Sequence, residues 1–132
     1  MKHIEVVAGI IIYEDRILCM QRGAGKYDYV SYKYEFPGGK VEPGETNSQA
    51  LMRELNEELG VEINVSENDY FMTVKYKYPD FEVTMHCYFC RVSSPEFIIK
   101  DHINYIWLKR SELDKLDWAP ADQPIVRKLM LE

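Results

Sequence analysis

Three carboxylates, Glu54, Glu57 and Glu58, stand within five residues of one another, directly after Arg53 and downstream of Glu45. Placed on a helix at about 100° per residue, they share one sector roughly 100° wide. Like charges at i, i+3 and i+4 repel by roughly 0.2–0.5 kcal/mol per pair. Glu57 and Glu58 also fall in the last turn, where the helix dipole disfavours negative charge by about 0.3–1 kcal/mol each. Two readings are open on these residues alone. One is a solvated acidic face, which is common. The other is a site for a hard divalent cation, Mg²⁺ or Mn²⁺, which takes clustered carboxylate oxygens. Local breaches of helix rules are expected at functional sites. Arg53 is suited to pair with a neighbouring carboxylate and fix its rotamer. Upstream, Gly38-Gly39 lets the backbone approach a ligand closely, and a carbonyl there is a further oxygen ligand.

The elements that position these residues are legible in outline. Thr46 with Gln49 three residues on forms a capping box, and Gly60 follows Leu59, so the spacing predicts a helix over 46–59. Leu51, Leu55 and Leu59 occupy the sector next to the carboxylates and face the core, with Ala50 beneath the acids. Ile4–Tyr13 reads as a strand buried on both faces, Glu14-Asp15 as a turn and Arg16–Gln21 as the returning strand. Residues 23–34 read as a loop. Residues 35–39 read as a short strand stopped by Pro and Gly. Val61–Val65, Phe71–Tyr78 and Phe81–Val92 read as strands, the last two joined by a Tyr-Pro-Asp turn at 78–80. Two short helices, 111–116 and 120–130, close the chain, with Pro124 in the first turns of the second. This order predicts a mixed α/β domain over residues 1–132, a sheet covered by helices.

The 132 residues, 46% hydrophobic, suffice for one ordinary core, and nothing suggests disorder. Sixteen basic against twenty-two acidic residues give a net charge of −6, which argues against capture of nucleic acid or anionic membrane by bulk charge. The early apolar run Val6–Tyr13 is too short to span a bilayer, and the first twenty residues offer no signal-peptide core, so a soluble, cytoplasmic protein is expected. Cys87-x-x-Cys90 has no second pair and lies on a strand, where residues three apart point to opposite faces. With Cys19, these are expected to be reduced, buried thiols.

From Gly39 the spacing is Gly, five residues, Glu45, seven residues, then Arg53-Glu54-Leu55-Asn56-Glu57-Glu58-Leu59-Gly60-Val61. Every specified position resembles the Nudix box, G-x5-E-x7-R-E-U-x-E-E-x-G-U, with U a bulky apolar residue. The resemblance covers nearly the whole chain and points to the MutT-type branch. Val7-Ala8-Gly9-Ile10-Ile11 is similar to that branch's first strand. Tyr34-Glu35-Phe36-Pro37-Gly38-Gly39-Lys40 is similar to the lead-in to its box, and Ala119-Pro120-Ala121-Asp122-Gln123-Pro124 to its base-recognition segment.

The resemblance implies a Nudix fold, a mixed β-sheet sandwiched between helices. It implies a Mg²⁺ (or Mn²⁺) site built from the Gly38 carbonyl, Glu54, Glu57 and Glu58, with Glu45 in support and Asp101 from a loop. Asp101 stands where relatives often carry Glu, one methylene shorter, so contact through water is an alternative to direct ligation. Glu54 or Asp101 takes the proton from the attacking water, and Arg53 and Glu57 complete the catalytic set. Arg22 is expected to meet substrate phosphate. Lys40 is expected to line the substrate site, and Phe36 or Tyr78 to stack on the base. Asp122 is expected to read the base edge or else to cap the last helix. His102 is expected to be structural or to donate to a residue that holds the site, His86 to pack and His3 to be exposed.

The implied activity is pyrophosphohydrolysis of a nucleoside triphosphate to a monophosphate and pyrophosphate, as in nucleotide-pool sanitation, leaning to cytidine-type or oxidised nucleotides such as 8-oxo-dGTP. The Pro-Ala-Asp-x-Pro form resembles the cytidine-preferring relatives more closely. ADP-ribose, a dinucleoside polyphosphate or a capped RNA end are the alternative substrates, and a non-catalytic nucleotide-binding module is the alternative role. A small-molecule nucleotide partner and a monomer are expected, with neither nucleic acid nor membrane as partner.

Overall fold

The computed structural model describes residues 1–132. Its strands are β1 (Lys2–Tyr13), β2 (Arg16–Arg22), β3 (Tyr34–Glu35), β4 (Gly38–Lys40), β5 (Tyr70–Lys77), β6 (Phe81–Arg91) and β7 (His102–Leu108). Two α-helices, α1 (Asn47–Leu59) and α2 (Gln123–Leu131), accompany short 3₁₀ turns at Glu67–Asp69, Arg110–Lys115 and Pro120–Asp122. The strand order is β3-β2-β1-β6-β5, with β4 on β1 and β7 on β2. β1 and β6 run parallel along their whole length, and the other pairings are antiparallel. The sheet is therefore mixed.

Burial on both faces of β1 follows from its uninterrupted apolar run. Val7 and Ile11 point to one side, where Leu51, Leu55 and Leu59 of α1 cover them. Ala8, Ile10 and Ile12 point to the other, against Ile125, Val126 and Leu129 of α2. Helices thus sandwich the sheet, as the resemblance implies. The same alternation separates Cys87 from Cys90, each buried in a different layer, and all three cysteines are free.

The α1 boundaries are those the capping residues dictate. Thr46 Oγ1 accepts from the Gln49 N–H at 3.2 Å, and Gln49 Oε1 accepts from the Thr46 N–H at 3.0 Å. Gly60 closes the helix at φ 68°, a left-handed conformation that costs glycine little.

Three elements differ from the sequence reading. Residues 61–65 form no strand. Ile63 and Val65 are nonetheless buried against α1, so their alternation reflects packing on a core without a ladder partner. Residues 35–39 split into β3 and β4, which pair with different strands, because Phe36-Pro37 carries the chain from β2 to β1. Strand β7, absent from the sequence reading, lies at the sheet edge with Ile103, Asn104, Tyr105 and Ile106 all exposed. Side chains left open on both faces erase the inside–outside alternation by which a strand is recognised.

Candidate active site

Strand β4 lies against β1 with Ala8 opposite Gly38 and Val7 opposite Gly39. A Cβ on Gly38 would stand 1.9 Å from the Val7 carbonyl oxygen, and one on Gly39 2.3 Å from the Glu54 carboxyl carbon. Only glycine lets this turn press onto both the sheet and the first acid of α1.

Arg53 organises the carboxylates. Its Nε and Nη2 donate to the two oxygens of Glu45 at 2.7 and 3.0 Å, a two-pronged grip. Nη1 donates to Glu54 at 2.9 Å and reaches Glu57 at 3.3 Å, and Nη2 also donates to the Lys40 carbonyl at 3.0 Å. One guanidinium therefore ties the glycine turn, the loop before α1 and two of the helix carboxylates together. The Arg53 guanidinium holds the Glu45 carboxyl below its ordinary range. Burial pushes Glu54 upward, against the pull of Arg53.

Glu58 has no such partner. Its Oε2 is shielded from solvent and accepts no hydrogen bond. Burial, with Glu35, Glu54 and Asp101 adding negative charge around it, pushes its carboxyl up to about 8. A buried carboxylate oxygen without a donor is costly unless a cation completes it. The donor set, all oxygen, is what a hard divalent ion takes. The donor chemistry therefore suits Mg²⁺ or Mn²⁺, although no three of these acids stand close enough together to enclose an ion by themselves.

Beside Glu58 opens a cleft of 680 Å³, large enough for a nucleotide. Glu58, Gly38, Gly39, Lys40 and Asp101 line one part of it, and Phe36, Tyr78 and Asp122 another, with Arg22 also on the wall. Glu54 and Glu57 lie outside this lining, on the Arg53 side of the helix, and Glu57 is 58% exposed. The sequence-derived site residues thus gather around one cleft, but the helix acids split. Glu58 turns inward to the cleft, whereas Glu54 and Glu57 are held by Arg53.

Asp122 occupies the position preceding α2, yet its side chain makes no capping bond, and the helix-cap reading is set aside. Instead Oδ1 accepts from the Phe36 N–H at 3.1 Å. Burial, reinforced by Glu35, raises the carboxyl well above the usual carboxylate range. Phe36 itself is 4% exposed and stacked on Trp118 at 4.6 Å between ring centroids, so most of its ring belongs to the core. Tyr78 is likewise buried. Its hydroxyl accepts from the Ala121 N–H at 3.0 Å, and its ring stacks on Tyr29, which stacks on Tyr27.

The sequence reading gave no role to Glu35, which the structure places in the cleft wall. His102 Nε2 lies 2.9 Å from Glu35 Oε2, and Arg22 Nη1 lies 3.5 Å from Glu35 Oε1. His102 is thus a structural donor, as expected, and its partner is this acid. The sequence signal for Glu35 is faint. It is one acid ahead of a Pro-Gly-Gly turn, and only the β2–β3 and β2–β7 ladders bring it beside Arg22 and His102. His86, expected to pack, is half-buried in a polar chain with Thr73 at 3.0 Å and Glu5 at 3.1 Å, and His3 is exposed beside Glu5.

Among known proteins, the NUDIX domain family matches residues 3–129. The chain is 33% identical over 129 residues to an 8-oxo-dGTP diphosphatase of Escherichia coli K12, covering 98% of both chains. It is 37% identical over 130 residues to a CTP pyrophosphohydrolase of the same organism, covering 98% of this chain and 93% of the relative. The solution structure of the E. coli ORF135 protein superposes with a TM-score of 0.83 at 36% identity, over 99% of this chain and 91% of that one.

Proposed function

The chain belongs to the Nudix family, and from that premise we propose that it hydrolyses a nucleoside triphosphate to the monophosphate and pyrophosphate with the help of divalent cations. One observation carries the reading. The buried, unpartnered Glu58 oxygen lies at the wall of a nucleotide-sized cleft, next to acids clamped by Arg53. A single domain, residues 1–132, carries the activity. No helix is long and apolar enough to cross a membrane.

Glu54, Glu57 and Glu58, the Gly38 carbonyl and Asp101 are the residues that would hold Mg²⁺ or Mn²⁺. Bound there, such ions neutralise phosphate charge and make water a better nucleophile at neutral pH. Arg53 holds Glu54 and Glu57 together against their mutual repulsion, and Glu45 keeps Arg53 in place. Glu54 is suited to receive the proton of the attacking water, because burial leaves it more basic than a free glutamate. Asp101, which lines the cleft together with Glu58, is the second candidate for that proton. Arg22 and Lys40 supply positive charge for the phosphates.

Asp122 reads the base. Burial favours the neutral form of its carboxyl, and in that form it offers an O–H donor beside a carbonyl acceptor, the pattern that matches N3 and the exocyclic amine of cytosine. Phe36 and Tyr78 form the apolar wall next to it. The two relatives bracket this choice, one named for an oxidised guanine nucleotide and one for CTP.

Purified protein with Mg²⁺ and a panel of CTP, dCTP, 5-substituted dCTP, 8-oxo-dGTP, ADP-ribose and a dinucleoside polyphosphate tests the proposal by release of pyrophosphate and by kcat/KM. We expect triphosphates to lead the panel, and Glu57→Gln to lower kcat by about 10²-fold or more, beyond the usual cost of a supporting residue around a metal. Wild-type turnover in Glu57→Gln and Glu58→Gln would eliminate the metal-ligand assignment.

A further inference from the structure

Glu35 stands between the two ends of the cleft. In the chain it directly precedes Phe36, whose N–H holds Asp122 at the base end. It comes three residues before Gly38, which lines the cleft with Glu58 at the metal end. Its negative charge is felt at both ends, helping to raise the carboxyls of Glu58 and Asp122. A nucleotide carries its sugar between its phosphates and its base. A substrate that reaches from the acids of α1 to Asp122 therefore lays its sugar against the wall at Glu35. This placement rests on the triphosphate reading of the site.

Two ladders fix the carboxyl. Met20 of β2 pairs with Glu35, and Arg22 of β2 pairs with His102 on β7. The His102 side chain is 6% exposed and that of Glu35 23%, so the imidazole is the buried member of the pair and the carboxyl the more open one. Oε2 is engaged by His102 Nε2 at 2.9 Å, whereas Oε1 accepts no hydrogen bond and has Arg22 Nη1 at 3.5 Å. An ionised carboxylate only accepts, and beside a phosphate chain it repels unless a donor faces it. Apart from the base, the donors of a nucleotide are its sugar hydroxyls. In dinucleotide-binding folds a carboxylate takes a ribose hydroxyl in the same way. We propose that Glu35 reads the sugar of the substrate by accepting from its free 2′- and 3′-hydroxyls, with His102 the positioning residue that holds the carboxyl toward them. The site then takes free nucleotides. A chain continuing from the 3′ oxygen removes one donor and sets a phosphate against the carboxylate.

Steady-state kinetics with CTP, dCTP, 2′,3′-dideoxy-CTP and a 5′-triphosphorylated dinucleotide tests this. The wild type should prefer CTP to dideoxy-CTP by about tenfold or more in kcat/KM, with dCTP between them and the dinucleotide well below CTP. Glu35→Ala should raise KM for CTP far more than KM for dideoxy-CTP, bringing the two substrates to within about threefold of each other. Glu35→Gln, which keeps the shape, should narrow the same ratio and serves if the alanine variant does not fold. His102→Leu removes the buried donor and should also narrow it, whereas His102→Gln supplies an N–H and should restore it. A role confined to structure would depress all four substrates alike. Calorimetric titration with CMP, dCMP and 2′,3′-dideoxy-CMP reads the same order without turnover. A graded affinity there with no hydrolysis would sink the proposed activity and leave the sugar contact standing. A wild type that treats CTP and dideoxy-CTP alike, or binds none of the monophosphates, overturns the proposal. So does a CTP preference that survives in both Glu35 variants, or a loss in His102→Leu that glutamine does not recover.

Discussion

Replacing Glu58 with glutamine should make the metal-free protein more stable while abolishing its response to Mg²⁺. The reasoning begins at the shielded Oε2, which has no donor. Burial and the neighbouring acids raise the carboxyl from 4.5 to about 8. Between these values the folded chain holds a proton that the unfolded chain has released. Stability of the metal-free protein therefore falls as pH rises through this window and levels off above it. At pH 7 the gap of about 2.5 units corresponds to roughly 3 kcal/mol at most. Partial solvent contact and relaxation reduce this to about 1–3 kcal/mol. Glutamine keeps the shape and carries no charge, so Glu58→Gln should raise Tm in excess chelator at pH 7 by roughly 3–10 °C. The slope of Tm between about pH 5 and 8 should flatten. Some slope should remain, because Glu54 and Asp122 are raised too, whereas the lowered acids Glu5, Glu45, Glu67 and Glu112 act below this window. Calorimetry or fluorescence melting with chelator, repeated with Mg²⁺, reads all of this. A variant no more stable than wild type at pH 8 without metal would refute the idea that Glu58 is a strained, cation-awaiting acid.

Other substitutions probe other parts of the site. Arg53→Lys keeps the charge but cannot grip both Glu45 oxygens while reaching Glu54, and should lower kcat by about 10–100-fold in steady-state assays, with a smaller change in KM. Gly38→Ala drives a methyl into the Val7 carbonyl across the β1–β4 ladder, and a chemical-denaturation curve should show a loss of about 3 kcal/mol or more, or no folded protein. Asp122→Asn reproduces the donor–acceptor pair of a neutral carboxyl, so kcat/KM for CTP should stay within about threefold of wild type; a loss near 10²-fold would show that the ionised form reads the base.

Much of the site was legible because its chemistry is local. Glu45, Arg53, Glu54, Glu57 and Glu58 belong to one loop and one helix, and helical periodicity fixes which of them share a face. Thr46, Gln49 and Gly60 fix where that helix begins and ends, since capping is a matter of adjacent residues. The apolar run of β1 and the alternation along β6 likewise announced a buried sheet. What the sequence could not determine depends on which strands become neighbours. The ladders of β2 with β3 and β7 bring Glu35, Arg22 and His102 together, three residues far apart along the chain. The packing of Phe36 against the last helical segment decides that Asp122 faces a backbone amide in the cleft and caps nothing. Residues 61–65 alternate as a strand does but find no ladder, and β7 pairs along one side while its side chains stay open on both faces. Periodicity reports only which residues are buried, whereas hydrogen-bond partners and desolvation are settled by distant segments arriving at the same place. Glu58 shows both levels at once: its residue type and position are written in the helix, but the strain on its charge exists only once the sheet closes over it.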